Sequence, residues 1–477
     1  MKKTVVLLLL VLTIFTLAGC QEEGEEAIDT VNPVISGTSD ITFTLGDAIP
    51  NWLDGVSALD ETDGQLTVTV DDSDVDLETP GTYDLIYTAT DKAGNKDEVI
   101  IKVFIKDPEL ESFYVELINF EGETLIEEIV FYDPTSETSL VQLIDEVVDL
   151  DYATYDFGTM INGIDGNYPK EYGLTYNFFY EIRVDDVASQ TGIDLIPYAP
   201  GTKISFVETT YLSELDLKVD AYIYDFIENN ISDFISEEFI DYSVLSAVHQ
   251  LNYKGYIDID LAQYYTYENL ELVTEDISTL SISDLFRLGI YQSIENIDLT
   301  TYFNHLNTQT ASNAYELITY LQAYHLNDQT NPNLATTLMD ETFVDPDFVG
   351  LALLALDKYS ELESFDTYLD SALTYIKSSM TPTGITSWGS ANASSTAAII
   401  LGLVAQGINP QDEDYQVDGL GLVDMLMLYE TNGVFKWTID STEVDLMFST
   451  PQAFAALVAY KLARDVYGFN ATNIYSF

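Results

Sequence analysis

The residues able to do chemistry in this 477-residue chain are few and restricted in type. One cysteine, Cys20, and three histidines, His249, His305 and His325, are present, the histidines on three different expected helices. Beyond position 20 there is no sulfur for a thiolate nucleophile, a disulfide or a cysteine-based metal site. A histidine standing alone serves as cap or surface residue more readily than as metal ligand. His325, at the C-terminal end of its helix, suits a cationic imidazole set against the helix dipole. Carboxylates are the opposite case, with 81 Asp and Glu against 17 Lys and Arg. Asp60, Glu61, Asp63 and Asp91 lie beside turn signals and could turn several hard oxygens towards one calcium ion, although acidic turns exist without one. Aromatics form the third group. Tyr176, Phe178 and Tyr180 alternate along an expected strand and would share one face, while Trp388 and Trp437 each close a Gly-x-x-x-Trp string. Both sets offer surface for stacking on a small ligand, and packing in a core is the competing use.

Cys20 has a clearer assignment. Lys2 and Lys3 precede an apolar run from Val5 to Leu17, broken only by Thr13 and Thr16, and Leu17-Ala18-Gly19 leads into the cysteine. A basic head, a short apolar stretch and a small-residue exit describe a signal peptide over residues 1–19. With cysteine at its end the segment resembles the bacterial lipobox. The resemblance implies that Cys20 is acylated, becomes the mature N-terminus and anchors the protein outside the cytoplasm. Residues 20–30, with Gln21-Glu22-Glu23-Gly24-Glu25-Glu26, form a polar tether.

The net charge of −64 excludes nucleic acid as partner, because such a surface repels phosphate. Solubility outside the cell accounts for this acidity, with a saline habitat and loose divalent-cation binding as the alternative sources. Hydrophobic residues at 47% and aromatics at 12% argue for packed domains despite the charge. No second long apolar stretch predicts a membrane span.

Three folded regions are expected: a β-sandwich, an α+β domain and an all-α domain. Residues 31–106 show short alternating runs such as Leu66-Thr67-Val68-Thr69-Val70, separated by Asp63-Gly64, Pro80-Gly81 and Ala93-Gly94-Asn95. Their motif order, ending in Tyr87-Thr88-Ala89-Thr90-Asp91-Lys92-Ala93-Gly94-Asn95, resembles the Ig-like repeats of bacterial surface proteins, which implies a spacer or adhesive sandwich. Residues 110–211 mix strands with one helix, whose apolar face is Leu140, Leu143, Ile144 and Val147. Ile161-Asn162-Gly163-Ile164 followed by the aromatics of 176–180 resembles the β-rich domain of cobalamin carriers. Asp185-Asp186 and Gly201-Thr202 depart from that family's pattern.

Residues 215–477 are helical and repetitive. Gly384-Ile385-Thr386-Ser387-Trp388 and Gly433-Val434-Phe435-Lys436-Trp437 each precede Ser/Thr and an Ala-rich helix, 49 residues apart. A repeat of this length implies stacked helical hairpins. Asp347, Ser395 and Thr450 are the expected N-caps, and Gly350, Ala398 and Gly402 would let helices crowd together. The pattern resembles the α/α toroids of terpene cyclases, protein prenyltransferases, thioester domains and cobalamin carriers. The prenyltransferase and thioester chemistries need cysteine, and Asp412-Glu413-Asp414 stands in a Pro410-led loop where a cyclase needs an acid facing an apolar cavity. A non-enzymatic surface lipoprotein is therefore expected, holding a small molecule, named as a corrinoid, between its β-rich and helical domains. The alternative is a surface adhesion or scaffold protein binding glycan or protein, and a two-carboxylate carbohydrate-active enzyme is the remaining catalytic option.

Overall fold

A computed structural model describes residues 29–156, 158–326, 328–466 and 468–477. The signal segment, Cys20 and the tether up to residue 28 lie outside the described residues.

The first region has two sheets around one apolar core. Strands β1 (Val34–Ser36), β3 (Ser57–Asp60) and β4 (Gly64–Leu66) form one sheet. Strands β2 (Ile41–Thr44), β5 (Val68–Asp71), β6 (Gly81–Thr90) and β7 (Lys96–Lys106) form the other, in the order β2-β7-β6-β5 with β2 parallel to β7. Alternation sends Leu85, Tyr87, Ala89, Val103 and Ile105 inward, all nearly fully buried.

The second region carries strands β8 (Glu111–Ile118), β9 (Thr124–Tyr132), β12 (Phe178–Val184), β13 (Val187–Ala188) and β14 (Lys203–Thr210) in one sheet, ordered β13-β12-β14-β8-β9. A hairpin of β10 (Leu150–Tyr155) and β11 (Gly158–Ile164) stands apart from it. Helix α1 (Leu140–Asp145) opens with a capping box between Ser139 and Gln142 and buries Leu140, Leu143 and Ile144. Val147 stays exposed, because the helix stops two residues before it.

The rest of the chain is predominantly helical: α2 (Glu214–Asn229), α3 (Tyr242–Tyr253), α4 (Glu271–Thr274), α5 (Ile282–Ile294), α6 (Thr300–Leu306), α7 (Ala314–His325), α8 (Pro332–Met339), α9 (Pro346–Ala355), α10 (Phe365–Ser379), α11 (Ala393–Ala405), α12 (Leu422–Met427) and α13 (Ser449–Arg464). Helices α3, α5, α7, α9, α11 and α13 each pack against the next, and α13 packs back against α3. A single apolar cluster runs through this region from Val219 to Tyr475. The small residues act as expected where α9 meets α11. A Cβ on Gly350 would lie 2.3 Å from the Ala398 carbonyl oxygen, and one on Gly402 would lie 2.4 Å from that of Gly350. Backbone therefore meets backbone there.

Two expectations need correction. The N-caps are Asp345 and Asn392, whose side chains accept from Phe348 N and Ser395 N at 2.9 Å; Pro346 and Ala393 take the first helical positions. Thr450 is buried inside the first turn of α13, and Asp445 receives the free N–H groups of Met447, Phe448 and Ser449. Second, His325 is not a surface cation. It is fully buried, and burial, with Lys358 adding to it, pushes its imidazole down to about 3, so it stays neutral.

Candidate ligand-binding rim

The repeated Gly-x-x-x-Trp strings build one end of the helical region. Gly384 opens the short strand β16 (Gly384–Ser387), preceded by β15 (Met380–Thr381) and followed by β17 (Ser390–Ala391). Its φ is +120°, and a Cβ there would lie 2.5 Å from Thr396 Oγ1, so only glycine fits. Thr396 Oγ1 accepts from Ile385 N at 3.0 Å, and Thr450 Oγ1 accepts from Phe435 N at 2.9 Å. Phe435 belongs to β19 (Val434–Phe435), which pairs with β18 (Glu430–Thr431). In both units the buried threonine of the helix ties down the strand before it. The repeat thus positions each tryptophan at the N-terminal end of an inner helix.

Trp388 is the unusual residue. Ser387 pairs with Ser390, leaving Trp388-Gly389 as a two-residue hairpin turn, and both central residues have positive φ, +55° and +93°. Such a turn favours Asn-Gly, and a bulky aromatic at its first central position is strained. Nothing is gained by burial in exchange, since Trp388 is 77% exposed. Its indole N–H points back to Asp347 Oδ2 at 3.3 Å. Trp437 is 40% exposed, and its carbonyl accepts from Ala393 N at the start of α11. Leu446, Met447 and Phe448, just before α13, are exposed apolar residues of the same end.

Under these aromatics lies a polar floor. Asp347 is half-buried; desolvation raises its carboxyl pKa, with Ser395 and Trp388 offsetting that in part. The Ser387 hydroxyl is buried and completes no hydrogen bond, and Asp347 Oδ1 and the Ser395 hydroxyl, buried beside it, interact with each other without forming a well-aligned one. Ser394 and Ser449 hydroxyls meet at 3.0 Å between α11 and α13, and Ser449 donates to Asp445 Oδ2 at 2.8 Å. Flat apolar surface above, with unfilled donors and acceptors below, suits a ligand that has both an apolar face and hydroxyl groups.

The other expected sites come out differently. Tyr176 precedes β12 and is 84% exposed, whereas Phe178 packs edge-on against Phe120 at 5.4 Å. Tyr180 donates from its hydroxyl to the Asn167 carbonyl at 3.1 Å. The three therefore do not form one open stacking face. Asp60 and Asp91 do converge, joined by Asp29, which the sequence pattern did not single out. Asp63 is turned instead to Lys92, 2.7 Å away, and Glu61 is outside the cluster. In the Asp412-Glu413-Asp414 string, Asp414 pairs with Lys377 at 3.2 Å.

The contact between the β-rich and helical regions is charged and closed where it is described. Lys461, fully buried on α13, reaches Glu171, Asp220 and Asp465 at 3.0, 3.2 and 2.8 Å. Arg464 grips Asp216, Asp220 and Asp465. Asn177 donates to Asp465 Oδ1 at 2.9 Å. Burial alone would lower the Lys461 pKa, but Asp220, Asp465 and Glu171 outweigh it and hold the ammonium charged. A cleft of about 520 Å³ lined by Asn296, Asp298, Asn304 and Phe477 lies elsewhere, beyond the C-terminal end of α5.

Among known proteins, residues 33–105 match the family model described as bacterial surface protein, Ig-like domain. A bacterial surface Ig-like domain thus occupies the first folded region. No curated protein matches the chain. Among solved structures, a candidate metal binding protein from Ruminococcus gnavus is 15% identical over 21% of this chain and 99% of its own, at a TM-score of 0.18. A lipoprotein from Bacteroides thetaiotaomicron is 11% identical over 33% and 95%, at 0.17. The CBM51-2 and INT domains of Clostridium perfringens ZmpB, with CBM51-2 in complex with GlcNAc, are 11% identical over 60% and 70%, at 0.15. Scores this low inform neither the fold nor the site. Among the described residues no helix is long and apolar enough to cross a membrane.

Proposed function

We propose that this protein is a lipid-anchored bacterial surface protein whose helical domain, an α/α toroid, binds extracellular carbohydrate at the rim carrying Trp388 and Trp437. The lipidated tether and the Ig-like sandwich are the spacer, and the β-rich domain, like that of cobalamin carriers, is a rigid joint. The observation that carries the proposal is Trp388: strained in its turn, exposed, and hydrogen-bonded to a carboxylate with an unfilled oxygen. Strain kept without a packing benefit is the mark of a residue held for a partner. The apolar face of a pyranose would stack on the indole, and its hydroxyls would meet Asp347 and Ser395. Binding without catalysis is the favoured use, because the other acids beside the rim, Asp345 and Asp445, are engaged by the backbone N–H groups that open α9 and α13.

A corrinoid held between the β-rich and helical domains has less support, since Lys461, Arg464 and their carboxylates occupy the described contact. A glycan array probed with the purified chain separates the two. Glycan binding that Trp388→Ala abolishes supports the rim. No glycan bound, together with cobalamin retained after desalting and visible by its absorbance, overturns it.

A further inference from the structure

We infer that the Ig-like domain holds a calcium ion between Asp29, Asp60 and Asp91, at the point where the tether enters the domain. A carboxylate oxygen from each of the three lies within 4.8 Å of the others. Three separate pieces of chain are brought together: the end of the tether, the β3–β4 turn and the β6–β7 turn. Asp60 and Asp91 are 3% and 7% exposed, so these are buried charges.

Each carboxylate is oriented by backbone donors on one side. Asp60 Oδ1 accepts from Thr62 N and Asp63 N at 2.8 and 2.7 Å. Asp91 Oδ1 accepts from Gly94 N and Asn95 N at 2.6 and 2.8 Å, and its Oδ2 accepts from Asn95 Nδ2 at 2.6 Å, which leaves that oxygen its second lone pair. Asp29 Oδ1 accepts from Val31 N at 3.0 Å, and the Asp29 carbonyl is held by Asn95 Nδ2 at 3.1 Å. What remains points to a ligand. Oδ2 of Asp60, on a side chain almost wholly buried, has no hydrogen-bond partner and no contact with solvent, and Asp29 Oδ2 is in the same state. A buried carboxylate oxygen left without donor or cation is costly, and three carboxylates this close repel one another. Lys92, the cation on the neighbouring turn, is spent on Asp63. An all-oxygen site of carboxylates, completed by water, is what calcium takes, and a site built from turns tolerates its variable geometry. Magnesium, which demands a tighter octahedron, fits less well. Because Asp29 belongs to the tether, the ion would fasten the tether to the domain and fix the direction in which the anchored protein leaves the membrane.

The test is equilibrium dialysis of the full chain, stripped with chelator, against radioactive calcium in 0.1 M NaCl, which suppresses loose binding to surface acids. One saturable calcium per chain is expected, with a Kd of about 10⁻⁴ to 10⁻³ M, the range of extracellular modules. Asp60→Asn and Asp91→Asn should each weaken it about tenfold or more, and Asp63→Asn should leave it in place. Asp29→Asn, at the domain edge, gives the same readout should the buried variants fail to fold. Isotherms that superimpose for the wild type and Asp29→Asn, or equal affinity for magnesium, would overturn the assignment.

Discussion

The two ends of α13 both collect polar residues and treat them in different ways. At its C-terminal end Lys461 and Arg464 meet Glu171, Asp216, Asp220 and Asp465; each charged group has a partner, and Glu171 Oε2 is the one of these carboxylate oxygens left over. At its N-terminal end Ser449 and the neighbouring Ser387, Ser395 and Asp347 sit under exposed tryptophans, and three of their polar atoms complete no well-aligned hydrogen bond. Both arrangements are costly, for different reasons. The closed end carries the desolvation of six charged groups and recovers it through mutual attraction, which joins two regions of the chain. The open end keeps polar groups unsatisfied and a tryptophan strained, and recovers neither cost within the protein. Paired charges make the closed end a joint; what sets the open end apart is unfilled polar atoms lying beneath an exposed ring on a strained turn.

The largest effect should come from breaking the closed end. Lys461→Met leaves Glu171 without its cation and Asp220 and Asp465 with Arg464 alone, and should cost about 3–5 kcal/mol. Urea unfolding of the helical transition measures it, and a loss below about 1 kcal/mol would mean that the cluster is not a joint. Next is the backbone contact that holds α9 beside α11 under the rim. Gly350→Ala drives a methyl into the Ala398 carbonyl and should cost about 1–3 kcal/mol, with glycan binding weakened as the two helix ends separate.

The third prediction concerns pH at the closed end of the ring, where His325 lies 3.3 Å from Asp357 at the C-terminal ends of α7 and α9. His325 is depressed to about 3 when folded, against about 6.5 unfolded. The unfolded chain therefore takes up a proton first, and this contribution to stability is lost as pH falls below about 6.5. Asp357, pushed up to about 6 by burial, acts the other way: its contribution is present below about 4 and is lost as pH rises to about 6. Removing the histidine should leave only the second trend. In melting curves between pH 6.5 and 4, His325→Gln should lose less Tm on acidification than the wild type. The smallest effect on stability should be at the open end. Trp388→Asn relieves the turn and should raise stability by up to about 1 kcal/mol while carbohydrate binding disappears. A loss of stability there would make Trp388 a packing residue.

Much of the architecture was legible in the sequence because it depends on local periodicity. Alternation over 83–89 marked a strand, and the Ala-rich runs after Gly384 and Gly433 marked inner helices, to within a few residues of their bounds, whereas the single run 66–70 breaks at Thr67 into β4 and β5 of two different sheets. The short helices α4, α6 and α8 were not legible, since a turn or two of helix has too few residues to show a period. The N-caps slipped because Asp345 and Asp347, or Asn392 and Ser395, are equally good cap residues. The choice fell to which residue the helix entry leaves extended. Of the site, Trp388 and Trp437 were singled out by their repeat, while Asp347 and Ser395 were taken as caps; no local signal says that a buried oxygen lacks a partner.

What the sequence determined by itself is the lipobox-like Cys20, the lack of any other thiol, the acidic surface and the order of a β-rich half and a helical half. These are composition and short-range pattern, and they need no partner in space. Only the tertiary structure decided that Asp29 joins Asp60 and Asp91, that Lys461 closes the contact between two regions, and that Trp388 stands unburied on a strained turn. Each depends on residues tens to hundreds of positions apart arriving at one place, where burial fixes the worth of a charge or a ring and leaves no trace in sequence spacing.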